Sequence, residues 1–448
     1  MSTDSSTLLP NSMGVSDDCL FNLKPSSVRG RSYRASIPAQ NAQTFAAGST
    51  IIVSVPSGRR NSYLDTKSSY FRMTVKNTDT SAVSFDGTGY SVLNRLDTFS
   101  SGNKLETIQE LGILASYVFD FQLNPAQRVG VSTSFGMSSD IQNPRKGLSI
   151  PASSQTTLCL PILSSVCGVF CDKLVPIGRL SDDLRMEIVV ADAVRGMVGG
   201  AGSTGAGWSI ISFELVATII ELSDEGESVV EQISPKSAPI FLHSNSWAHN
   251  VGTINSAGQT SLLVPFRYAS LKSIVALPRR TTEINDVLSY SLSSRCNAQI
   301  DSYQWRVGGS VVPNKQVYLK NTNNTGGYAE GFSECLRAWH SLSSPDACSS
   351  IGADNYNVND VAITGTSVAA INTGANSFKN GFTIAQELEI FANRNSLLLS
   401  GINTLGMNTY FDSYITTAPA TSYTVNFFGN FDLILYLDPV TGVLSPKQ

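Results

Sequence analysis

Short segments rich in β-branched and aromatic residues recur through almost the whole chain, and each is closed by Gly, Pro, Asn or Ser. Segments of this length between turn residues indicate strands rather than helices. Many short strands separated by turns are typical of β-sandwiches and barrels. The chain is therefore predicted to be mainly β. Representative segments are Thr50–Val55, Leu184–Val190, 209–221, 273–277, 303–307, 383–390 and 431–437.

The composition agrees with this fold class. Only 15% of the 448 residues are charged, while 35 are Gly and 18 are Pro. Uncharged polar residues with frequent Gly and Pro suit short strands joined by turns, and the Glu, Lys and Ala runs of long exposed helices are missing. A chain of this length can form two or three domains, each with its own core.

Only two segments have a helical pattern, and they lie about 220 residues apart, close to half the chain. They are residues 108–122 and 329–342. Other features recur at a similar spacing. Thr50–Val55 matches 260–264, the polar turn 178–183 matches 401–406, and the strand 209–222 matches 423–438. The sequence therefore predicts two copies of one β-sandwich, with one short helix in each.

Segment 222–237 is the predicted linker between the copies, because an acidic cluster and then Pro235 separate two strands there. Segments 193–207 and 343–379 are rich in Gly or in Ser, Asn and Thr, and are predicted to be long loops.

No metal or cofactor site is predicted. The seven cysteines are an odd number, and the nearest pair, Cys167 and Cys171, is separated by three residues. The three histidines, His243, His249 and His340, are distant from that pair, which disfavours zinc. We expect reduced, mostly buried thiols.

Catalytic constellations are also missing from the pattern. The chain has no G-x-S-x-G motif. The acidic pairs, Asp182 with Asp183 and Glu387 with Glu389, fall in a turn or along one strand, so a structural role is favoured over a glycosidase pair. The chain is predicted not to be an enzyme.

Residues 200–205 (GAGSTG) match the G-x-G-x-x-G dinucleotide-binding pattern. That motif needs a helix directly after the glycines, so that its N-terminal N–H groups face the pyrophosphate. Here a strand is predicted from residue 208 onward. A surface loop is therefore the better interpretation.

One basic cluster precedes the first predicted strand. Lys24, Arg29, Arg31 and Arg34 are expected in an irregular arm. A solvated arm, or one forming salt bridges to a neighbouring subunit, is favoured over contact with the phosphates of a packaged genome. The net charge of −4 gives no global attraction to nucleic acid.

The N-terminal residues do not have the basic-then-apolar order of a secretory signal. No apolar run approaches the roughly 20 residues that span a bilayer. A soluble protein made inside a cell is expected.

The second half contains an order of motifs that resembles a known family. The order is 303–309 (YQWRVGG) followed by Pro313, then the helical segment, 398–404 (LLSGINT) and 431–443 (FDLILYLDPVTGV). It resembles the second jelly roll of the double jelly-roll major capsid proteins of tailless icosahedral double-stranded DNA viruses. The hexon-like proteins of adintoviruses, Polinton-like viruses and virophages are the most similar. Segments 70–75, 94–99 and 104–108 resemble the first jelly roll of the same family.

The resemblance covers residues 20–440 and implies two tandem jelly rolls. It implies an N-terminal arm (1–22), a first jelly roll (23–222), a linker (223–237), a second jelly roll (238–442) and a C-terminal tail (443–448). It further implies homotrimers that act as pseudo-hexagonal capsomers in a virion shell, with penton and minor capsid proteins as partners. Both terminal segments are expected to become ordered on assembly. The alternatives are a two-domain carbohydrate-binding or adhesive protein and a β-sandwich hydrolase.

Overall fold

The structure is a computed structural model. It describes residues 28–139, 146–199, 207–319, 329–339, 349–351, 356, 381–390, 398–416, 419 and 421–447.

Strands dominate these ranges. The strands are β1 (Gly30–Pro38), β2 (Phe45–Ala46), β3 (Thr50–Val55), β4 (Ser62–Asn77), β5 (Val83–Asp86), β6 (Leu93–Ser100), β7 (Asn103–Gln109), β8 (Lys146–Ile150), β9 (Gln155–Pro161), β10 (Leu184–Val190), β11 (Met197–Val198), β12 (Trp208–Leu222), β13 (Ile240–Ile254), β14 (Gly258–Val264), β15 (Leu271–Arg280), β16 (Ser302–Val307), β17 (Ser310–Tyr318), β18 (Ile384–Glu387), β19 (Thr409–Ile415), β20 (Tyr423–Leu437) and β21 (Leu444–Lys447). The helices are α1 (Leu111–Gln122), α2 (Pro125–Phe135), α3 (Ala193–Gly196), α4 (Asp224–Ile233) and α5 (Ala329–Ala338).

The first half is a sandwich of two antiparallel four-stranded layers. One has the order β1-β12-β4-β9, with β2 beside β12, and the other has the order β3-β10-β6-β7. A small sheet of β11, β5 and β8 accompanies them. Alternation builds the core: in β10, Leu184, Met186 and Ile188 are buried while Arg185 points to solvent.

The second half repeats this arrangement. Its layers have the orders β13-β20-β15-β18, with β21 beside β20, and β14-β19-β16-β17. When the eight main strands of either half are counted along the chain, both halves have the orders 1-8-3-6 and 2-7-4-5. This is the jelly-roll order, so the predicted duplication is confirmed. Two of the matches predicted from the spacing of segments along the sequence are confirmed, because β3 occupies the same position as β14 and β12 the same position as β20.

All neighbouring main strands are antiparallel, so the connections fall alternately at two ends of the molecule. At the linker end, β12 passes through α4 into β13. The opposite end of the molecule, which we call the helix end, carries α1, α2, α3 and α5. These helices follow strands that run away from the linker end.

The helical segments differ from the prediction in detail. The first half has a second long helix, α2, so the expectation of one helix there is wrong. Its signal was present in the sequence: the Asn124 side chain accepts from the Gln127 N–H at 2.8 Å, and Pro125 occupies the first turn. Ile108 belongs to β7, and α1 begins at Leu111.

Two segments expected to be irregular are regular. The linker contains α4, whose first turn holds the acidic residues Asp224, Glu225 and Glu227, which stabilise a helix N-terminus. The C-terminal segment forms β21, paired with β20 from Leu437 to Ile434. The expectation that residues 444–447 are ordered only on assembly is therefore wrong, because β20 of the same chain supplies their hydrogen bonds.

Candidate assembly surfaces

Helix α1 lies between the two halves. Eleven of its twelve residues are buried, so it has no solvent-facing side. A helix that is apolar around its whole circumference must be surrounded by protein. Side chains of α1 such as Tyr117 and Asp120 contact Trp339 and Arg295 of the second half, so the helix is covered by both halves.

A buried ion network holds α1 to the second half. Asp120 lies between two guanidinium groups, those of Arg128 on α2 and Arg295 of the second half. The Arg128 Nη1 to Asp120 Oδ1 distance is 2.9 Å. The side chains of Asp120 and Arg295 are 0% exposed. Removing one member of such a buried network leaves uncompensated charge, which is strongly destabilising.

A second buried carboxylate, Asp86 at the end of β5, binds the segment after β15. It accepts from the N–H of Leu292 at 2.6 Å and from the N–H and hydroxyl of Ser293 at 3.0 and 2.6 Å. Burial raises the pKa of Asp86, and these donors offset part of that rise.

The third carboxylate is Glu106 on β7. Its oxygens accept from the hydroxyl of Ser164 at 2.7 Å, the N–H of Ser165 at 3.0 Å and the hydroxyl of Ser246 on β13 at 2.6 Å. Burial raises the pKa of Glu106 as well. Three carboxylates of the first half are thus buried against donors of the second half.

An aromatic cluster completes the junction at the helix end. The Trp339 Nε1–H donates to the Tyr117 hydroxyl at 2.6 Å. The Tyr117 ring lies 5.3 Å from Phe121 and 6.1 Å from Trp247 of β13, measured between centroids. Aromatic pairs at such distances add to the burial energy.

At the linker end, the first half contacts both the linker helix α4 and the C-terminal part of the second half. Glu227 of α4 accepts from Tyr63 at 2.8 Å and Arg179 at 3.3 Å. The Ser181 N–H donates to the Gly442 carbonyl at 2.9 Å. Because equivalent ends meet at both ends of the molecule, the two jelly rolls lie side by side and point in the same direction.

The predicted basic cluster is only partly an arm. Arg31 and Arg34 lie within β1, so the prediction of an irregular segment is wrong for these two residues. Arg31 Nη2 contacts Glu221 Oε2 at 2.8 Å, and the Arg34 guanidinium lies 5.4 Å from the centre of the Tyr70 ring. Arg29 is exposed just before β1, and Lys24 lies outside the described residues.

The histidines occupy separate positions. His243 Nε2 is 2.7 Å from Asp432 Oδ1, and the His249 ring lies 4.9 Å from that of Phe428. The two are six residues apart on β13, a separation of about 20 Å along a strand. His340 lies outside the described residues.

The acidic pairs bind backbone and lysine groups. Asp183 Oδ1 accepts from the Ser57 N–H at 2.9 Å. Glu389 Oε1 is 3.2 Å from Lys272 Nζ. Burial raises the pKa of the neighbouring Glu387 to about 7.

The five described cysteines are free thiols. Cys167, Cys171 and Cys335 are buried, and burial raises the pKa of Cys335 to about 12. No group of three His, Cys, Asp or Glu side chains in the described part of the chain is arranged to hold a metal ion.

The glycine-rich match at 200–205 lies outside the described residues. The segment that follows it is β12, beginning at Trp208. The prediction of a strand there is confirmed. No helix within the described ranges is long and apolar enough to cross a membrane.

The second half exposes large apolar side chains on the connection between β18 and β19. Leu398 is 60% exposed, and Leu399, Leu405 and Met407 are 45–47% exposed. We call residues 398–407 the apolar segment. Leu263, which is 52% exposed, lies on β14 opposite Tyr410, near the start of the strand that follows the apolar segment. Contiguous exposed apolar surface marks a site of protein association.

The described geometry defines the fold as a double jelly roll. Solved structures with a similar fold include PBCV-1 VP54 fitted into a reconstruction of the virophage Sputnik, with a TM-score of 0.63 and 10% identity over 96% of this chain and 99% of that one. The Faustovirus major capsid protein has a TM-score of 0.56 and 9% identity, covering 92% of this chain and 91% of its own.

The mavirus major capsid protein is also similar, with a TM-score of 0.54 and 10% identity over 95% of this chain and 92% of that one. No family model and no curated protein sequence matches the chain. The predicted resemblance is thus confirmed at the level of the fold.

Proposed function

We propose that this chain is the major capsid protein of a double-stranded DNA virus. Three copies form a pseudo-hexagonal capsomer, and capsomers tile an icosahedral shell in the virion. The protein works as a structural tile and not as an enzyme.

The observation that carries this proposal is the rigid pairing of two jelly rolls in one chain. Asp86, Glu106 and Asp120 connect the halves through buried contacts, so the pair moves as one body. The same fold over nearly the full length of capsid proteins such as those of Faustovirus and mavirus supports it. Three such pairs supply six similar lobes, which is the geometry of a hexagonal tile.

Assembly would bury large contacts between copies, on the order of 2,000 Å² or more for each permanent interface. The low charge of the chain, 15% of residues, suits this because fewer charged groups must be desolvated. Penton and minor capsid proteins are proposed as further partners in the shell.

The basic residues of β1 are proposed to contact a neighbouring subunit. Arg31 and Arg34 lie in an edge strand and already make contacts within the chain. Removing residues 1–29 and measuring packaged nucleic acid tests the competing role. Unchanged genome content would exclude a genome-binding arm.

Sedimentation and electron microscopy of the purified protein test the main proposal. We expect a species of three times the 47.9-kDa chain mass, with a pseudo-hexagonal outline, or closed shells. A stable monomer that binds glycans would instead support the carbohydrate-binding alternative.

A further inference from the structure

The junction inside the chain uses elements that each half possesses. In the first half, the connection between β9 and β10 contacts the edge of β13. Cys171 forms a β-bridge with Ser244, and the Ser165 hydroxyl donates to the Asn245 carbonyl at 2.5 Å. We call the connection between the sixth and seventh main strands of a jelly roll the donor of this junction, because this segment packs on the other jelly roll. The acceptor is the first strand of the next jelly roll.

The equivalent donor in the second half is the β18–β19 connection, which contains the apolar segment. It joins the same two strand positions as the β9–β10 connection. Cys171 and Leu180 of the first connection are 1% and 4% exposed, whereas Leu398 and Met407 of the apolar segment are 60% and 46% exposed. The surface that is covered within the chain in one half is therefore open in the other.

The equivalent acceptor in the first half is β1. Gly30 of β1 pairs with Leu222, the last residue of β12. Ile240 of β13 pairs with Leu437, the last residue of β20, so β1 and β13 begin at equivalent positions. Ser244 faces the core of its sandwich, as Tyr33 and Ala35 do in β1, so the position of Ser244 corresponds to the stretch of β1 on either side of Arg34. On its other edge β1 pairs with no strand among the described residues, whereas β13 has its bridge to Cys171. An open edge strand can pair with another chain.

We propose that the apolar segment of one copy packs on the free edge of β1, around Arg34, in a second copy of this chain. The contact repeats between chains the junction that joins the two halves within a chain. It rests on the proposed capsomer and gives its interface. Each copy then offers one donor and one acceptor, a head-to-tail arrangement that closes into a ring.

The burial of apolar side chains supplies the energy for this contact, and the edge of β1 supplies direction. Residues 398–407 (LLSGINTLGM) have no charged side chain, so no charge must be desolvated on the donor side. On the acceptor side, the Arg34 guanidinium lies 5.4 Å from the centre of the Tyr70 ring on β4, so it reaches across β12 toward the interior of the sheet and away from the other edge of β1.

A photo-crosslinking amino acid at position 398 of the full chain tests the contact. After irradiation of the purified protein, we expect a covalent dimer on a denaturing gel. Mass spectrometry should place the crosslink in peptides that contain residues 30–38. The same amino acid at Val251, which is 50% exposed on β13, is the matched control and should not link to β1.

A paired substitution gives an independent measurement. Leu398→Asp with Leu399→Asp should shift sedimentation from trimer to monomer with an unchanged circular dichroism spectrum, whereas Val251→Asp should leave the trimer intact. Trimers that persist in the double variant, or crosslinks to another element, overturn this interface and leave the capsomer standing. A wild-type chain that is only monomeric and forms no particle overturns both.

Discussion

Asp120 is the residue on which the pairing of the two halves depends most directly. It holds two guanidinium groups, from Arg128 on one side of the junction and Arg295 on the other. Its two carboxylate oxygens each contact one guanidinium group, and its side chain is 0% exposed. Buried networks of this kind contribute little when complete, but they are costly to break.

Asp120→Asn should therefore lower the free energy of unfolding by about 3–5 kcal/mol. The matched control is Asp172→Asn, which removes an ion pair to Lys67 whose side chains are 75% and 56% exposed. That change should cost less than about 1 kcal/mol. Urea denaturation followed by fluorescence measures both. Equal losses in the two variants would contradict the role given to Asp120.

Glu387 predicts a dependence of stability on pH. Burial raises its pKa from 4.5 to about 7, while the backbone N–H groups of Leu388 and Glu389 partly oppose the rise. The folded state therefore keeps a proton that the unfolded state has released. The stabilisation is fully present below pH 4.5 and is lost as the pH rises through about 7.

Glu387→Gln should remove this contribution. The difference in unfolding free energy between the variant and the wild type should shift in favour of the variant between pH 4.5 and about 7, by up to about 1.4 kcal/mol per pH unit. Glu225→Gln, at an exposed position of α4, makes the same charge change and should not alter the pH profile. If the unfolding free energies of the wild type and Glu387→Gln change in parallel with pH, the role given to the raised pKa of Glu387 is contradicted.

At the scale of elements, α4 fixes the distance and angle between the last strand of one half and the first strand of the next. Its N-terminus is capped by Ser223, whose hydroxyl accepts from the Gly226 N–H at 3.2 Å. Glu227 on the same helix contacts Tyr63 and Arg179. The linker is thus a packed helix and not a tether.

Ser223→Ala should destabilise α4 by about 1 kcal/mol, because one helix N–H loses its acceptor. The expected readout is faster proteolysis within residues 224–238 and a lower melting temperature. Ser228→Ala is the control, since its hydroxyl only bonds back to the Glu225 carbonyl within the helix. Equal proteolysis of both variants would mean that the cap does not hold the linker.

The elements that the sequence predicted are those with a local signal. The strand β10 alternates strictly, and the spacing of features at half the chain length revealed the duplication. Ser223 and the acidic residues after it form a helix start, but a charged segment before Pro235 suits an irregular linker equally well, so the sequence does not predict α4.

The junction was beyond prediction because its residues are distant in the chain. No local sequence pattern around Asp86 or Glu106 predicts their partners Ser293 and Ser246, which lie more than a hundred residues away in the chain. A lone acid in a strand usually points to solvent. Arg31 and Arg34 were placed before the first strand because charged residues weaken a strand pattern, and pairing with β12 overrides that local preference.

At the scale of the whole molecule, the buried junction makes the two jelly rolls a single body. Contacts at both ends connect them: Trp339 with Tyr117 at the helix end, and Ser181 with Gly442 at the linker end. The covalent linker is then one connection among several.

Two polypeptides, residues 1–233 and 234–448, should consequently assemble into one complex when they are expressed together. The break follows the last residue of α4 and leaves every junction contact described above in place. Co-elution from a size-exclusion column in equal amounts is the expected result. Arg295→Ala in the second polypeptide should weaken it. Separate elution of the unsubstituted pieces would show that the linker alone holds the halves together.

The concentration of helices at one end has a consequence for how such a chain can change. Between β7 and β9 the described residues of the first half form α1, α2 and β8, and those between β17 and β18 in the second half form α5, while the order of the main strands is the same in both halves. Residues inserted at the helix end therefore do not change the hydrogen-bond register between the main strands. A foreign peptide grafted into the short β19–β20 connection, which lies at the same end, should therefore leave the fold and its assembly intact, and the chain would then serve as a carrier for inserted sequences.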